Sequence, residues 1–516
     1  MTRDRIACAE PWHDGLHFVR ISPVMTTHTL DFAVIAAYLV GVAVLGIALR
    51  GRQEGVGDYF LGSRQIAWPL ILLSIVATET STVTFLSVPG VAYGGDMTFL
   101  QLPIGYIIGR IGVAIVLMPL FFRGESLTLY EILGRRFGSG VQRLSSVLFI
   151  ATRSIADGLR LFLTALVVEE LLRWDFTSSV LAVGVATILY TFFGGIRAVI
   201  WTDVVQFVIY VLGALVAGWI LLDRIPGGWS GMLAAAGDTG KLRVLNFHFE
   251  LAKPYTFWAG LFGGAVLTAA THGADQLMVQ RYLCTNSIRH ARLALVSSGF
   301  VVLVQFALFL LLGVGLFAYY QAEPPAVRND AVFVKFIIDE VPPGLRGLII
   351  AAVFSAAMST LSSSLNSVAS AAVTDIYRPL VRPGATEQHY LNCSRVLTVA
   401  AGALQMGMAL YGRTLPDRST VDNVLTVAAF TTGITLGVLL LGIFVPRAHG
   451  KAAVLGMIHG ALIVMCVWAL TPLAWPWYAL CGSAITLLAG WAASFTLPGH
   501  KEGGGRLSQR IEVNDE

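Results

Sequence analysis

The chain has 516 residues, of which 56% are hydrophobic and only 13% are charged, and its mean hydropathy is +0.72. A soluble globular protein of this length exposes far more charge, so the composition excludes that class and predicts an all-α integral membrane protein. The formal net charge of +4 is small and the basic residues are scattered, which gives no indication of a nucleic-acid-binding surface. Five widely spaced cysteines predict neither a disulfide framework nor a metal centre.

Thirteen mainly apolar segments are long enough to predict transmembrane helices. They lie near 30–49, 67–88, 98–122, 141–172, 177–194, 199–222, 255–273, 293–320, 345–373, 393–412, 421–445, 452–471 and 475–496. Polar tails are expected at 1–29 and 498–516, and Met25 is an alternative start that would leave residues 1–24 outside the native protein. The distribution of Lys and Arg between the loops predicts a multi-pass protein of the inner or plasma membrane, with the N-terminus outside and the C-terminus in the cytoplasm.

The segment from Gly347 to Tyr377 combines membrane-grade hydrophobicity with many hydroxyls. On a helix its polar residues form one stripe, because they recur at helical spacing. These residues are Ser355, Ser359, Ser362, Ser363, Asn366 and Ser370. Such a stripe faces other protein, or water and ions, rather than lipid. Both interpretations remain open: the small residues are close-packing contacts between helices, or they line a binding site.

Two predicted spans are interrupted. In the second span, Ala77 to Thr84 reads ATETSTVT and places Glu79 at membrane depth, where irregular backbone is tolerated only if it lines a cavity or a site. The alternative is a buried helix in which Glu79 is bonded internally. The seventh span carries Gly260, Gly263, Gly264 and Gly273. If spans two to six and seven to eleven are two halves, both begin with a broken helix, as expected of secondary transporters with inverted repeats.

Charged residues also lie within or beside other spans. Arg153, Asp157 and Arg160 share one face of the fourth span, so Asp157 can pair with either arginine and one guanidinium can remain for an anionic ligand. The alternative role of Arg160 is an ion pair with Asp157. Asp203 lies just inside the sixth span, where a helix N-cap or a first-turn acid is the structural interpretation.

Five stretches together resemble the sodium:solute symporter family. They are GDYFLGSRQIAWP (57–69), VPGVAYGG (88–95), FFGGIRAVIWTDVVQ (192–206), GADQLMVQRYL (273–283) and the SxxMSTLSSSLNSxA…DIY pattern that ends at Tyr377. The resemblance implies the leucine-transporter-type fold, an inverted 5+5 helix repeat with one extra helix before it and two after it. We expect the extra helix at 30–50, the repeats at 66–222 and 255–445, and the two further helices at 451–497.

The resemblance also implies cation sites. The primary sodium site would use the backbone carbonyls of Ala77, Thr80 and Ala356 and the hydroxyls of Ser359 and Thr360. A monovalent hard cation suits such neutral oxygens, which bind it without holding it too tightly to release. Some relatives have a second sodium site, which corresponds here to Asp203, Ser359, Ser362 and Ser363. One coupled sodium ion is therefore expected, and a second is a further hypothesis.

For the solute, the resemblance implicates residues of the broken helix and of the helices around it. They are Thr78, Glu79, Ser81, Thr82, Thr84, Phe99, Gln101, Arg160 and Thr431. Glu79 resembles the acid of proline-transporting members, whereas Arg160 resembles the third-helix arginine of sialic-acid transporters. We favour a small polar organic solute with a carboxylate, because a buried guanidinium can bind one bidentately.

The predicted function is sodium-coupled symport by alternating access, with sodium, a small solute and the lipid bilayer as partners and a monomer as the working unit. The alternatives are a sugar or proline-like amino-acid symporter and a non-transporting sensor on the same fold. An enzyme is not expected, since the sequence has no nucleophile–base motif, metal-ligand spacing or nucleotide-binding loop.

Overall fold

The computed structural model describes residues 29–124, 126–413 and 420–497, and these residues form an all-helical bundle. The predicted polar tails lie outside the described residues, apart from residue 29. In chain order, the first ten α-helices are α1 (Thr29–Ala48), α2 (Val56–Leu61), α3 (Trp68–Glu79), α4 (Thr82–Gly94), α5 (Gln101–Gly112), α6 (Met118–Phe121), α7 (Leu129–Phe137), α8 (Ser139–Leu172), α9 (Phe176–Arg224) and α10 (Gly228–Asp238).

Ten further α-helices complete the described bundle. They are α11 (Ala265–Gly273), α12 (Gln276–Tyr282), α13 (Ile288–Tyr319), α14 (Val332–Glu340), α15 (Leu345–Ala371), α16 (Arg378–Leu380), α17 (Glu387–Gly412), α18 (Thr420–Phe444), α19 (Gly450–Leu470) and α20 (Tyr478–Thr496). Three π-helical segments continue or precede them, at Val113–Leu117, Ala259–Gly264 and Ala372–Tyr377.

Each predicted span overlaps helical structure, but the helices of the structure do not begin and end where the predicted spans do. Among the described residues, eight helices are long and apolar enough to cross a membrane, or nine when α3 and the bent segment after it count as one span. The total of thirteen transmembrane helices stays a prediction. In particular, the predicted spans 177–194 and 199–222 belong to one 49-residue helix, α9.

Helix α9 is too long for one straight crossing, because 49 residues would extend about 74 Å, against about 30 Å of hydrocarbon. Gly195 interrupts it with φ 59° and ψ −164°, a conformation in the positive-φ region that glycine adopts far more readily than other residues. The two predicted spans are therefore two halves joined at a glycine kink.

Helix α15 lies at the centre of the bundle. In the continuous helical segment Leu345–Leu380, which begins with α15, an apolar 18-residue stretch is 94% buried, against 28% for α1, α19 and the Trp475–Thr496 segment. Helix α15 packs on α9 and also contacts α1, α3, α8 and α17. Both its hydroxyl stripe and its apolar side therefore face protein, which explains how a membrane helix can carry so many polar groups.

The backbone of helix α5 lies directly against the backbones of α11 and of the π-helical segment Ala259–Gly264. A Cβ atom on Gly105 would overlap the carbonyl oxygen of Gly260, and one on Gly109 would overlap the carbonyl oxygen of Ala265. Small residues allow this close approach, which is the usual basis of tight helix packing in membranes.

A buried ion pair fastens α1 to the start of α15. Asp31 is fully buried and accepts hydrogen bonds from Arg346 Nη2 at 2.7 Å and from the backbone N–H groups of Gly344 and Gly347 at 2.7 and 2.8 Å. The carboxylate thus neutralises the arginine and also caps the first turn of α15.

We expect Arg346→Met to destabilise the protein by about 3 to 5 kcal/mol, because it leaves the Asp31 carboxylate buried without its counter-charge. Thermal unfolding of the purified protein in detergent measures this change. Lys335→Met is the matched control: it removes the 2.6 Å pair with Asp339, whose side chains are 23% and 30% exposed, and should cost less than about 1 kcal/mol. Equal shifts for both variants would contradict the role given to Asp31.

Candidate functional site

The helical span formed by α3 and α4 is broken at Thr80 and Ser81. Both residues leave the helical region, with φ −85°, ψ 102° and φ −95°, ψ 171°, and the segments on either side meet at 59°. A helix that ends here leaves its last carbonyls without backbone donors. Within a membrane such groups need other partners.

Helix α15 supplies two of those partners. Ser359 Oγ donates to the Ala77 carbonyl and Thr360 Oγ1 donates to the Thr78 carbonyl, both at 3.0 Å. The same hydroxyls also lie 3.2 and 3.4 Å from the Ala356 carbonyl. All of these residues are buried. The result is a compact cluster of neutral oxygens between the broken helix and α15, suited in chemistry to a small hard cation.

This oxygen cluster contains four of the five residues expected at the primary sodium site, namely Ala77, Ala356, Ser359 and Thr360. The fifth, Thr80, lies at the break itself. Its hydroxyl donates to the Val76 carbonyl at 2.9 Å and accepts from Tyr210 and Gln305. These contacts from α9 and α13 fix the backbone at the point where α3 ends.

The residues expected at a second sodium site fall into two groups. Asp203 and Ser363 face the same space: Thr78 Oγ1 lies 3.4 Å from Asp203 Oδ2 and 3.1 Å from Ser363 Oγ. In contrast, Ser359 is directed to the primary cluster, and Ser362 Oγ donates to the Ser359 carbonyl of its own helix. Asp203 is a buried carboxylate in contact with α3, and the helix-cap interpretation does not describe its position.

Glu79 points away from the oxygen cluster, towards α5 and α11. Its carboxylate accepts a hydrogen bond from Arg110 and lies 3.7 Å from His272 Nε2. Arg110 is fully buried and also donates to Ser298, while His272 Nδ1 lies 2.7 Å from the Tyr282 hydroxyl. The charge of Glu79 is thereby balanced within the protein, although 18% of its side chain stays exposed.

The two arginines on α8 have different surroundings. Arg153 contacts two carboxylates, Asp157 at 2.8 Å and Asp275 at 3.2 Å. Arg160 contacts Asp157 at 2.9 Å, keeps 17% of its side chain exposed, and has a buried Nε without a hydrogen-bond partner among the described residues. Neither arginine is left without a carboxylate: Arg160 forms the ion pair with Asp157 that was its alternative role, and its Nε is the donor that remains without a partner among the described residues.

The other residues expected to contact solute differ in burial and in the hydrogen bonds that they already make. Ser81 is buried beside the break and Thr84 is half-buried. Thr82 Oγ1 accepts from Thr164 at 2.9 Å. Thr431 is half-buried, and its carbonyl accepts from Thr435.

Phe99 and Gln101 are engaged in packing at the start of α5. The Phe99 ring lies 5.1 Å from the rings of both Tyr255 and Phe306. Gln101 donates to the Tyr255 carbonyl at 3.2 Å and accepts from Asn246 N–H at 2.9 Å. In this conformation they fasten α5 to the segment before the π-helix.

Two buried arginines were missed by the sequence analysis: Arg110, which binds Glu79, and Arg281, which binds Asp203 at 3.2 Å. Arg281 lies in the quoted motif GADQLMVQRYL, but no role was given to it. Charge balance could have pointed to both arginines, because each carboxylate at membrane depth needs a cation nearby.

Comparison with known proteins agrees with this architecture. The sequence profile of the sodium:solute symporter family matches residues 59–460. The sodium/sialic acid symporter NanT of Aliivibrio fischeri is 30% identical over 475 residues, which cover 90% of this chain and 92% of that protein. The sodium/sialic acid symporter SiaT of Proteus mirabilis is also 30% identical, over 89% of this chain and 94% of that protein.

A solved structure of a Na⁺-coupled sialic acid symporter, in a substrate-bound outward-open state with a novel Na⁺ site, matches with a TM-score of 0.85 and 27% identity, over 92% of this chain and 99% of that chain. The fold is thus the leucine-transporter type expected from the sequence, and the chain is a transporter rather than an enzyme. On this evidence the chain belongs to the sodium:solute symporter family.

Proposed function

We propose that this protein imports a small, polar, carboxylate-bearing organic solute together with sodium, and that it works as a monomer with its N-terminus outside the cell. Sodium-coupled symport of a small solute follows from family membership. The carboxylate is supported by Arg160, whose buried Nε lacks a hydrogen-bond partner among the described residues, and by the sialic acid transported by the two bacterial relatives.

The oxygen cluster between α3 and α15 carries the proposed coupling. A sodium ion bound by the carbonyls of Ala77, Thr80 and Ala356 and the hydroxyls of Ser359 and Thr360 would join the broken helix to the central helix. Since Thr78 and Glu79 lie in the same interrupted segment, the ion would also order the backbone beside the solute. If sodium favours the conformer that binds solute, it raises the affinity for the solute by the free energy of that preference, as linkage requires.

The second sodium ion remains part of the proposal, at Asp203 and Ser363 with Ser359 and Ser362 from the same helix face. The repeats at 66–222 and 255–445 are proposed as the two halves that change orientation. A proline-like or neutral sugar substrate is the alternative. Glu79 supports the amino-acid alternative: it pairs with Arg110 and is 18% exposed, much as Arg160 pairs with Asp157 and is 17% exposed.

In proteoliposomes, we expect solute uptake to require inward sodium and to rise with an inside-negative potential, since one charge moving through 100 mV contributes about 2.3 kcal/mol. The measurement uses a panel of sugar acids, small monocarboxylates, neutral sugars and amino acids under a potassium diffusion potential. Protein-free liposomes are the control. Uptake of neutral sugars or proline alone would refute the carboxylate proposal, and uptake unaffected by sodium would refute the coupling.

Ser359→Ala and Thr360→Ala should each raise the sodium concentration for half-maximal uptake about tenfold, because loss of one oxygen ligand worth about 1.4 kcal/mol has that effect. Ser367→Ala is the matched control on the same helix, since its hydroxyl donates to the Ser364 carbonyl of α15 itself. An unchanged sodium dependence in both site variants would exclude the proposed cluster.

Arg160→Lys should raise the KM for the carboxylate substrate by about tenfold or more, because a lysine cannot bind a carboxylate bidentately. Thermal stabilisation by sodium should persist in this variant. Arg413→Lys is the control, as this arginine pairs with Glu169 and is 46% exposed. If Arg160→Lys transports with an unaltered KM, Arg160 does not contact the solute carboxylate.

A further inference from the structure

Arg281 lies where three helices of the candidate site meet. It is at the end of α12, only 1% of its side chain is exposed, and Asp275 caps the start of that short helix through Leu277 N–H. A guanidinium this deeply buried needs partners for its five donors. Apart from the Leu277 carbonyl of its own helix, its partners come from α3, α9 and α15.

The hydrogen bonds of Arg281 account for its position. Its Nε donates to Ser74 Oγ at 2.9 Å and its Nη1 donates to the Leu277 carbonyl. Its Nη2 lies within hydrogen-bonding distance of three oxygens, which share its two N–H groups: Thr78 Oγ1, Asp203 Oδ2 at 3.2 Å and Ser363 Oγ. Two of these three, Asp203 and Ser363, belong to the proposed second sodium site.

A positive charge therefore already occupies that space. The Nη2 group lies among a carboxylate and two hydroxyls, the oxygen environment that a sodium ion would need. Asp203 Oδ1 is buried without a hydrogen-bond partner among the described residues, so the carboxylate retains an acceptor for a further ligand. Two cations beside one buried carboxylate would repel each other strongly in this low-dielectric environment.

We propose that Arg281 and a sodium ion are alternative occupants of the site at Asp203. The guanidinium competes with sodium because it is held beside the site by the protein chain. It neutralises Asp203 when the ion is absent and thereby lowers the affinity of the site for sodium. When it returns to Asp203 it displaces the ion, which can then be released. This inference rests on the proposed second sodium site and adds a mechanism for emptying it. The site keeps one positive charge beside one carboxylate in both states.

The test is equilibrium binding of radioactive sodium to the purified full-length protein, without solute. Arg281→Gln should bind sodium about tenfold or more tightly at the Asp203 site, because the competing charge is gone. Arg281→Lys keeps a tethered positive charge and should gain much less. The double variant Arg281→Gln/Asp203→Asn should lose the gain, since it removes the carboxylate on which both cations depend. Sodium affinity that is unchanged or weaker in Arg281→Gln would overturn the proposal.

A measurement on the wild-type protein keeps the proposal testable if Arg281→Gln does not fold. Sodium should increase hydrogen–deuterium exchange of Gln276–Tyr282, compared with choline at equal ionic strength, because displacement of Arg281 releases the end of α12 from α3 and α15. Unchanged or slower exchange would count against displacement.

These measurements need no transported solute, so their outcome does not depend on whether the substrate proposal is correct. Tighter sodium binding in Arg281→Gln would support the exchange of occupants even if no carboxylate were transported. Conversely, sodium-driven carboxylate uptake with no effect of Arg281→Gln on sodium binding would leave the proposed function intact and refute the competitor.

Discussion

The architecture depends on one constraint: carbonyl groups at membrane depth need partners, and a helix that stops there exposes them. Helix α3 stops at Thr80, and the hydroxyls of Ser359 and Thr360 meet the carbonyls of Ala77 and Thr78 at 3.0 Å. Such hydroxyls can only be placed on a helix that is itself shielded from lipid. The burial of α15 and the break in α3 therefore require each other.

Charge balance is the second constraint, because each charged side chain at membrane depth needs an opposite charge nearby. Asp31 is fully engaged by Arg346 and two backbone N–H groups, and a pair of this kind fastens helices together. Arg160 and Asp203 are also paired, yet each keeps one buried polar atom without a partner among the described residues, as Arg110 does at its Nε. Native proteins seldom leave such atoms without a partner unless a ligand or water completes the set.

Sequence analysis predicted the parts that depend on local pattern. Apolar runs located the helices, and the polar segment ATETSTVT located the break, because hydroxyls and a carboxylate in that density are incompatible with lipid. The resemblance supplied the meeting of Ser359 with Ala77. Long-range pairing was not predictable: Arg110 and Arg281 come from distant parts of the chain, and no local pattern shows which carboxylate each will reach. Likewise, the backbone angles of Gly195 turn two predicted spans into one kinked helix.

The glycine contacts between α5 and the segment that leads into α11 also constrain motion. Without side chains at Gly105 and Gly109, these backbones lie in close contact, and separating them would forfeit those van der Waals contacts. The pair of Arg110 with Glu79 connects α3 to α5 as well. Hydroxyl–carbonyl contacts with α15 can instead be exchanged one by one for water or an ion. The contacts between α3 and α15 are thus the ones that a bound ion can replace, and the oxygen cluster lies among them.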